Sequence, residues 1–162
     1  AIILHDIGWS QMDETQRMYS YHKPGLDGIP PTKDQERIAR LTHQILGMEI
    51  ACRLLAQVGY DPTLITKIMV IISQHDTRKG WVEFNDAVVR DADKLWRYSA
   101  PQHLLVTARN KGWTKREEME KHLKDSAVNI EKEGFFLTDV AREIAKLDFV
   151  GYEEFGLQMF PA

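Results

Sequence analysis

Three of the six histidines and several aspartates lie in segments that are otherwise apolar. His5 and Asp6 follow the apolar run 2–4, whose composition favours burial. Burying an imidazole beside a carboxylate costs free energy unless a partner compensates. A divalent cation is such a partner, because imidazole and carboxylate ligands together suit zinc, iron, manganese and similar ions. An aspartate that caps a helix beside an incidental histidine would produce the same pair of residues.

His43 lies in a segment whose apolar residues recur at helical spacing. At 100° per residue it shares a stripe with Gly47, Ile50 and Leu54, so its imidazole is predicted to point inward. Gly47 has no side chain, which would leave room beside the imidazole for an ion, a water or a substrate atom. A core histidine bonded to a backbone carbonyl is the alternative interpretation.

His75 follows Ile68 and Ile71 at helical spacing, which predicts a position on the apolar face of the same helix. A second inward-facing histidine therefore needs an explanation of its own. Asp76, the next residue, is expected to face solvent, although its carboxylate could also orient a neighbouring imidazole.

Asp91 and Asp93 supply two carboxylates to one predicted helix. Asp93 shares a stripe with Val89 and Trp96, which favours an inward position. The alternative is an ion pair between Asp93 and Arg97 at i,i+4, a pair worth only a few tenths of a kcal/mol. The spacing alone leaves both interpretations open.

One metal cluster explains these residues together, whereas separate structural roles require several independent coincidences. The ordered set resembles the HD superfamily of metal-dependent phosphohydrolases, whose signature combines a His-Asp pair with a distal aspartate. The resemblance covers about residues 1–99. The matching segments are Leu4-His-Asp-Ile-Gly8, Thr42-His-Gln-Ile-Leu-Gly47, Ile71-Ile-Ser-Gln-His-Asp76 and Asp91-Ala-Asp-Lys-Leu95.

The resemblance implies a set of metal ligands and a cofactor. The ligands would be His5, Asp6, His43, His75 and Asp93, and the family context selects Asp93 over Asp91. Asp6 would bridge two ions and act in catalysis. The cofactor would be one or two divalent ions of Fe, Mn, Co, Zn, Ni or Mg. The family's first histidine precedes the His-Asp pair, so we expect it on an N-terminal helix upstream of this sequence.

The implied reaction is hydrolysis of a nucleotide or another small phosphate ester. Two ions would lower the pKa of a shared water toward about 7 and offset charge on the phosphoryl oxygens. Arg78 and Lys79 are expected to contact the substrate phosphate, unless they form a solvated basic turn. Lys94 and Arg97 are further candidates for this contact.

The stretch from Trp9 to Pro31 reads as a long loop with three further ring-bearing residues, Tyr19, Tyr21 and His22. Such a loop could cover the site and stack on a nucleobase, or its rings could pack on their own domain.

Two other functions would use nearly the same ligands. Some proteins that resemble this set activate oxygen at a mixed-valent di-iron HD site, so an HD-type di-iron oxygenase is one alternative. The other is a regulatory module that binds a nucleotide without turnover, an interpretation motivated by the missing first histidine.

Apolar periodicity and helix caps predict an all-α fold. The resemblance implies that residues 1–162 form a single compact HD domain. We expect almost no sheet. The predicted helices run from Thr32 to Val58, from Asp61 to near His75, from about 85 to 99, briefly after Pro101, from Thr114 to Lys132 and onward from Thr138.

Composition excludes several classes of partner. A net charge of −3 argues against an extended nucleic-acid-binding surface, which needs dense Lys and Arg patches. No apolar run approaches the roughly 20 residues of a membrane span. The single cysteine suits a reducing, cytoplasmic setting. The expected partner is a small phosphorylated substrate, and the oligomeric state stays open.

Overall fold

The fold is all-α. The computed structural model describes residues 1–160, in which helices form and no strand occurs, as predicted. Within this part of the chain no helix combines the length and the apolar character needed to cross a membrane. The chain divides into two compact units, Ala1–Lys79 and a second unit that begins at Gly80. The single HD domain over the whole chain stays a prediction.

The first unit contains a 3-10 helix, Ile7–Gln11, followed by α1 (Glu14–Ser20), α2 (Lys33–Gln57) and α3 (Pro62–Ile72). The predicted caps of the two long helices are confirmed. The Thr32 side chain accepts from the backbone N–H of Gln35, whose own side chain accepts from the N–H of Thr32. Asp61 caps α3, with Pro62 at its first position.

Helix α1 interrupts the stretch that the sequence was expected to leave as a loop between Trp9 and Pro31. The Asp13 carboxylate accepts from the backbone N–H of Gln16 at 2.8 Å, so a side-chain cap starts the helix. This short-range signal was outweighed in the prediction by the Pro and Gly residues that follow.

Helix α3 ends at Ile72, and His75 lies in the turn that follows instead of on the helix. The prediction of a helical position for His75 was therefore wrong. Its inward orientation is nevertheless observed, because the side chain is almost completely buried.

The second unit contains α4 (Phe84–Ser99), α5 (His103–Lys111), α6 (Arg116–Glu131) and α7 (Asp139–Met159). These match the predicted helices, except that α6 begins at Arg116 and not at Thr114. The Glu118 carboxylate accepts from the N–H groups of Thr114 and Lys115. The apolar core of this unit lies between the helices and includes Tyr98, Leu104, Met119, Leu123, Phe136, Ala145 and Tyr152.

Asp91 on α4 is buried and holds the start of α7. Its carboxylate accepts from the N–H groups of Leu137 and Thr138 and from the Thr138 hydroxyl, each at 2.8 Å. The Thr138 hydroxyl also accepts from the N–H of Ala141 and so caps α7. Asp91 therefore has a structural role.

The 3-10 helix lies directly against α2 at a pair of glycines. A Cβ built on Gly8 would lie 1.8 Å from the His43 carbonyl oxygen and 2.6 Å from the Gly47 nitrogen. A Cβ on Gly47 would lie 3.1 Å from the His5 carbonyl oxygen. The space beside Gly47 is therefore occupied by the backbone of His5 and Gly8. The sequence analysis had predicted that an ion, a water or a substrate atom would occupy it.

We expect Gly8→Ala to destabilise the protein by about 3 kcal/mol or more, because the added methyl meets rigid backbone and forces α2 away. The measurement is urea denaturation followed by circular dichroism. Gly151→Ala is the control, since its Cβ meets no neighbour within 4 Å; it should be neutral or add roughly 0.5 kcal/mol. Equal effects of the two substitutions would contradict the close packing.

Asp91→Ala should also destabilise the protein, by about 3 kcal/mol, because it leaves the buried donors at the start of α7 unsatisfied. Asp93→Ala is the comparison on the same helix and should cost less than Asp91→Ala without metal, since the Asp93 side chain is 15% exposed and its ion pair with Arg97 is long at 3.8 Å. Thermal unfolding of both metal-free variants measures the two losses of stability. A larger loss for Asp93→Ala than for Asp91→Ala would contradict the structural role assigned to Asp91.

Candidate metal centre

Four of the predicted ligands converge within the first unit. The Nε2 atoms of His43 and His75 are 3.4 Å apart, and Asp6 Oδ1 lies 3.6 Å from the first and 3.4 Å from the second. The other Asp6 oxygen, Oδ2, lies 3.4 Å from Nε2 of His5. The 3-10 helix region, α2 and the turn after α3 each contribute to this cluster, as the sequence predicted for these four residues.

Backbone carbonyls fix two of the imidazoles in the form that binds metal. The Nδ1 atom of His75 lies 2.8 Å from the carbonyl oxygen of Ile72, and that of His5 lies 2.5 Å from the carbonyl oxygen of Ile2. A carbonyl can only accept, so each Nδ1 donates. In the neutral ring, the lone pair then lies on Nε2, which faces the cluster. This arrangement is typical of metal-binding histidines, and the donor set fits a first-row divalent ion.

The His43 imidazole is held by packing. It is fully buried and stacks on the indole of Trp9, with ring centroids 4.1 Å apart and planes inclined by 11°. Its Nδ1 atom has no hydrogen-bond partner among the residues that the structure describes. The stack therefore takes the orienting role that carbonyls have at His5 and His75.

Asp76 also faces the cluster, which the sequence analysis missed. Its side chain is 35% exposed, in partial agreement with the expected solvent position, but Oδ2 lies 3.3 Å from His43 Nε2 and 3.7 Å from His75 Nε2. The available signal was a second His-Asp dipeptide, His75-Asp76, which repeats the pair formed by His5 and Asp6. The sequence analysis set that signal aside because Asp76 was expected to face solvent.

Gln44 fixes the turn that carries His75 and is a second residue that sequence reasoning missed. It is fully buried, and its Oε1 accepts from the backbone N–H of Asp76 at 3.3 Å and from the Thr77 hydroxyl at 3.2 Å. Its Nε2 donates to the Arg40 carbonyl on its own helix. A buried amide beside His43 therefore links α2 to the turn, an arrangement visible only once the two segments are packed.

Electrostatics in the cluster favour imidazolium and carboxylate when no metal is bound. Burial raises the pKa of Asp6, but the His75 and His5 imidazoles outweigh it and hold that pKa below its ordinary value. Burial lowers the pKa of His75, but the Asp6 and Asp76 carboxylates outweigh it and hold that pKa above its ordinary value. A metal ion therefore competes with a proton for Nε2 of His75.

The predicted phosphate contacts, Arg78 and Lys79, follow the cluster in the chain. The Arg78 guanidinium donates to the Gln74 side chain at 3.2 Å and to the Val70 carbonyl at 3.1 Å, near the end of α3. Lys79 is exposed. Their role in binding phosphate stays a prediction.

Asp93, the fifth predicted ligand, lies on α4 in the second unit, where it pairs with Arg97. Lys94 donates to the Phe135 carbonyl and lies over that ring, and burial lowers the pKa of its amine. Because these residues belong to the other unit, metal binding by Asp93 and phosphate binding by Lys94 or Arg97 stay predictions.

The aromatic residues near the cluster pack on one another. Trp9 lies between His43 and the exposed ring of Tyr21, whose centroid is 5.9 Å from that of the indole. This agrees with the interpretation that these rings pack on their own domain. Of the predicted nucleobase contacts, Tyr21 and His22 are exposed to solvent.

Comparisons with models of known protein families, with curated proteins and with solved structures found no match for this chain. The likeness to the HD superfamily accordingly rests on the residues and spacing quoted above.

We expect the affinity for Zn²⁺ to rise with pH and to level off above the raised pKa of His75, because proton and metal compete for Nε2. In the metal-free protein the folding stability contributed by His75 changes with pH in the opposite direction, falling as the pH rises. Protonated His75 stabilises the fold below its ordinary pKa of about 6.5, and this stabilisation is lost as pH rises through the raised value.

Calorimetric Zn²⁺ titrations between about pH 6 and pH 8 measure this dependence. His22→Asn is the control, because His22 pairs with Glu36 and Arg40 outside the cluster; it should leave the pH dependence unchanged. A pH-independent affinity in the wild type would exclude His75 as a ligand.

Proposed function

We propose that the chain is a metal-dependent phosphohydrolase of the HD type that acts on a nucleotide or another small phosphate ester. One observation carries the proposal. Side chains that the sequence analysis selected for metal binding come together from distant segments of the chain. The Nε2 atoms of His43 and His75 are 3.4 Å apart, and they lie 3.6 Å and 3.4 Å, respectively, from Asp6 Oδ1.

We assign the central role in metal binding and catalysis to Asp6, whose carboxylate is half-exposed. Its two oxygens face different imidazoles, Oδ1 toward His43 and His75 and Oδ2 toward His5. This placement supports a bridging role between two ion positions. When bound, divalent ions would lower the pKa of a coordinated water and neutralise charge on the phosphoryl oxygens.

The chain's own residues orient the reactants. His5 and His75 are fixed by their carbonyl partners, and His43 is fixed by Trp9, so the ligands need little rearrangement when an ion binds. The substrate would approach from the solvent side, where Asp6 and Asp76 are partly exposed. Arg78 and Lys79, which follow this turn in the sequence, are the proposed phosphate contacts.

The test is hydrolysis of a panel of nucleotides and simple phosphomonoesters by the purified chain with added Mn²⁺ or Co²⁺. We expect Asp6→Asn and Asp93→Ala each to lower the rate at least about 100-fold, since the ions supply several kcal/mol of transition-state stabilisation. Asp34→Asn, an exposed carboxylate on α2, is the control and should retain full activity.

Undiminished turnover by Asp6→Asn would contradict the proposal. Consumption of oxygen by an iron-loaded protein, without phosphate release, would favour the di-iron oxygenase. Nucleotide binding without turnover would favour the regulatory module.

A further inference from the structure

Asp76 makes a triangle with the two buried imidazoles that is nearly equilateral. Its Oδ2 atom lies 3.3 Å from His43 Nε2 and 3.7 Å from His75 Nε2, and the two nitrogens are 3.4 Å apart. Asp6 Oδ1 makes a second triangle on the same edge, with distances of 3.6 Å and 3.4 Å. Two carboxylate oxygens therefore share one pair of imidazole nitrogens.

These separations are too long for the hydrogen bonds that such groups would otherwise form. An imidazolium donates to a carboxylate at about 2.7–2.9 Å, and a neutral N–H···O bond rarely exceeds about 3.2 Å. The two Nε2 atoms face each other, and if both carried protons they would repel. Direct pairing thus explains this spacing poorly.

The same separations fit ligands that share one ion. Ligand atoms bound at about 2.0–2.1 Å in a tetrahedral arrangement lie about 3.3–3.4 Å from one another. The three distances among the Nε2 atoms of His43 and His75 and Oδ2 of Asp76 span 3.3–3.7 Å, and these side chains form one group that could hold an ion. The Asp76 carboxylate would also offset part of the charge of a divalent ion in a largely buried place.

We propose that Asp76 is a metal ligand, and that it binds one ion together with His43 and His75. His5 and Oδ2 of Asp6, 3.4 Å apart, then form a separate position that keeps more sites open for water and substrate. The first position, with three protein ligands, holds its ion more tightly and fixes α2 against the turn after α3, whereas the second position loses its ion more easily. The inference rests on the metal site of the proposed function.

The experiment titrates the metal-free full chain with Co²⁺ alone and follows both bound equivalents and visible absorption. The wild type should bind a first ion tightly with the intense bands of four-coordinate Co²⁺, and a second ion more weakly. Asp76→Asn should lower the affinity for the first ion on the order of 100-fold or more and remove the intense bands. Asp76→Glu, which keeps the carboxylate, should restore part of both.

Asp34→Asn is the matched control and should titrate like the wild type. Circular dichroism checks that each variant is folded. If Asp76→Asn does not fold, Asp76→Glu is the test, and its Co²⁺ affinity and absorption should lie below those of the wild type. If Asp76→Asn keeps the wild-type affinity and spectrum while His75→Ala loses both, Asp76 is not a ligand and the proposed function stands. If the wild type binds no Co²⁺, the proposed function fails together with this inference.

Discussion

The backbone contact between Gly8 and α2 is the constraint on which the first unit depends. It places the peptide after His5 and Asp6 against the carbonyl of His43, closer than any residue with a side chain would allow. Without this contact, the segment that carries the His-Asp pair would have to lie farther from α2. The candidate ligands would then lie farther apart, so the proposed metal site depends on the close approach that the two glycines allow.

The second constraint acts on the opposite side of the cluster, where Gln44 accepts from the turn that follows α3. His75 reaches the cluster because α3 ends at Ile72, and the Ile72 carbonyl oxygen accepts a hydrogen bond from Nδ1 of His75. Helix α2 thus fixes both neighbours, one through glycine and one through a buried amide. The residues 43, 44 and 47 do this within little more than one helical turn.

Much of the fold followed from short-range signals. Thr32 with Gln35, Asp61 with Pro62, and Thr138 each start a helix where the sequence predicted one, because a cap depends on residues within one turn. The approach of His5, Asp6, His43 and His75 to one another was also predictable, since polar side chains in apolar segments must be compensated once buried. Asp76 and Gln44 were not, because their roles depend on packing between segments about 30 residues apart. Gly47 was noticed but misinterpreted for the same reason.

The spacing within the cluster trades stability of the metal-free protein against the proposed metal binding. The metal-free protein would be more stable if its imidazoles and carboxylates closed to hydrogen-bond distance, but the backbone contact at Gly8 and the hydrogen bonds of the Gln44 side-chain amide act against that closure. The candidate ligands are therefore held at separations that would suit metal bonds. Under the proposed function, an ion would recover the free energy lost in the metal-free state, and the stability of the first unit would then depend on metal concentration.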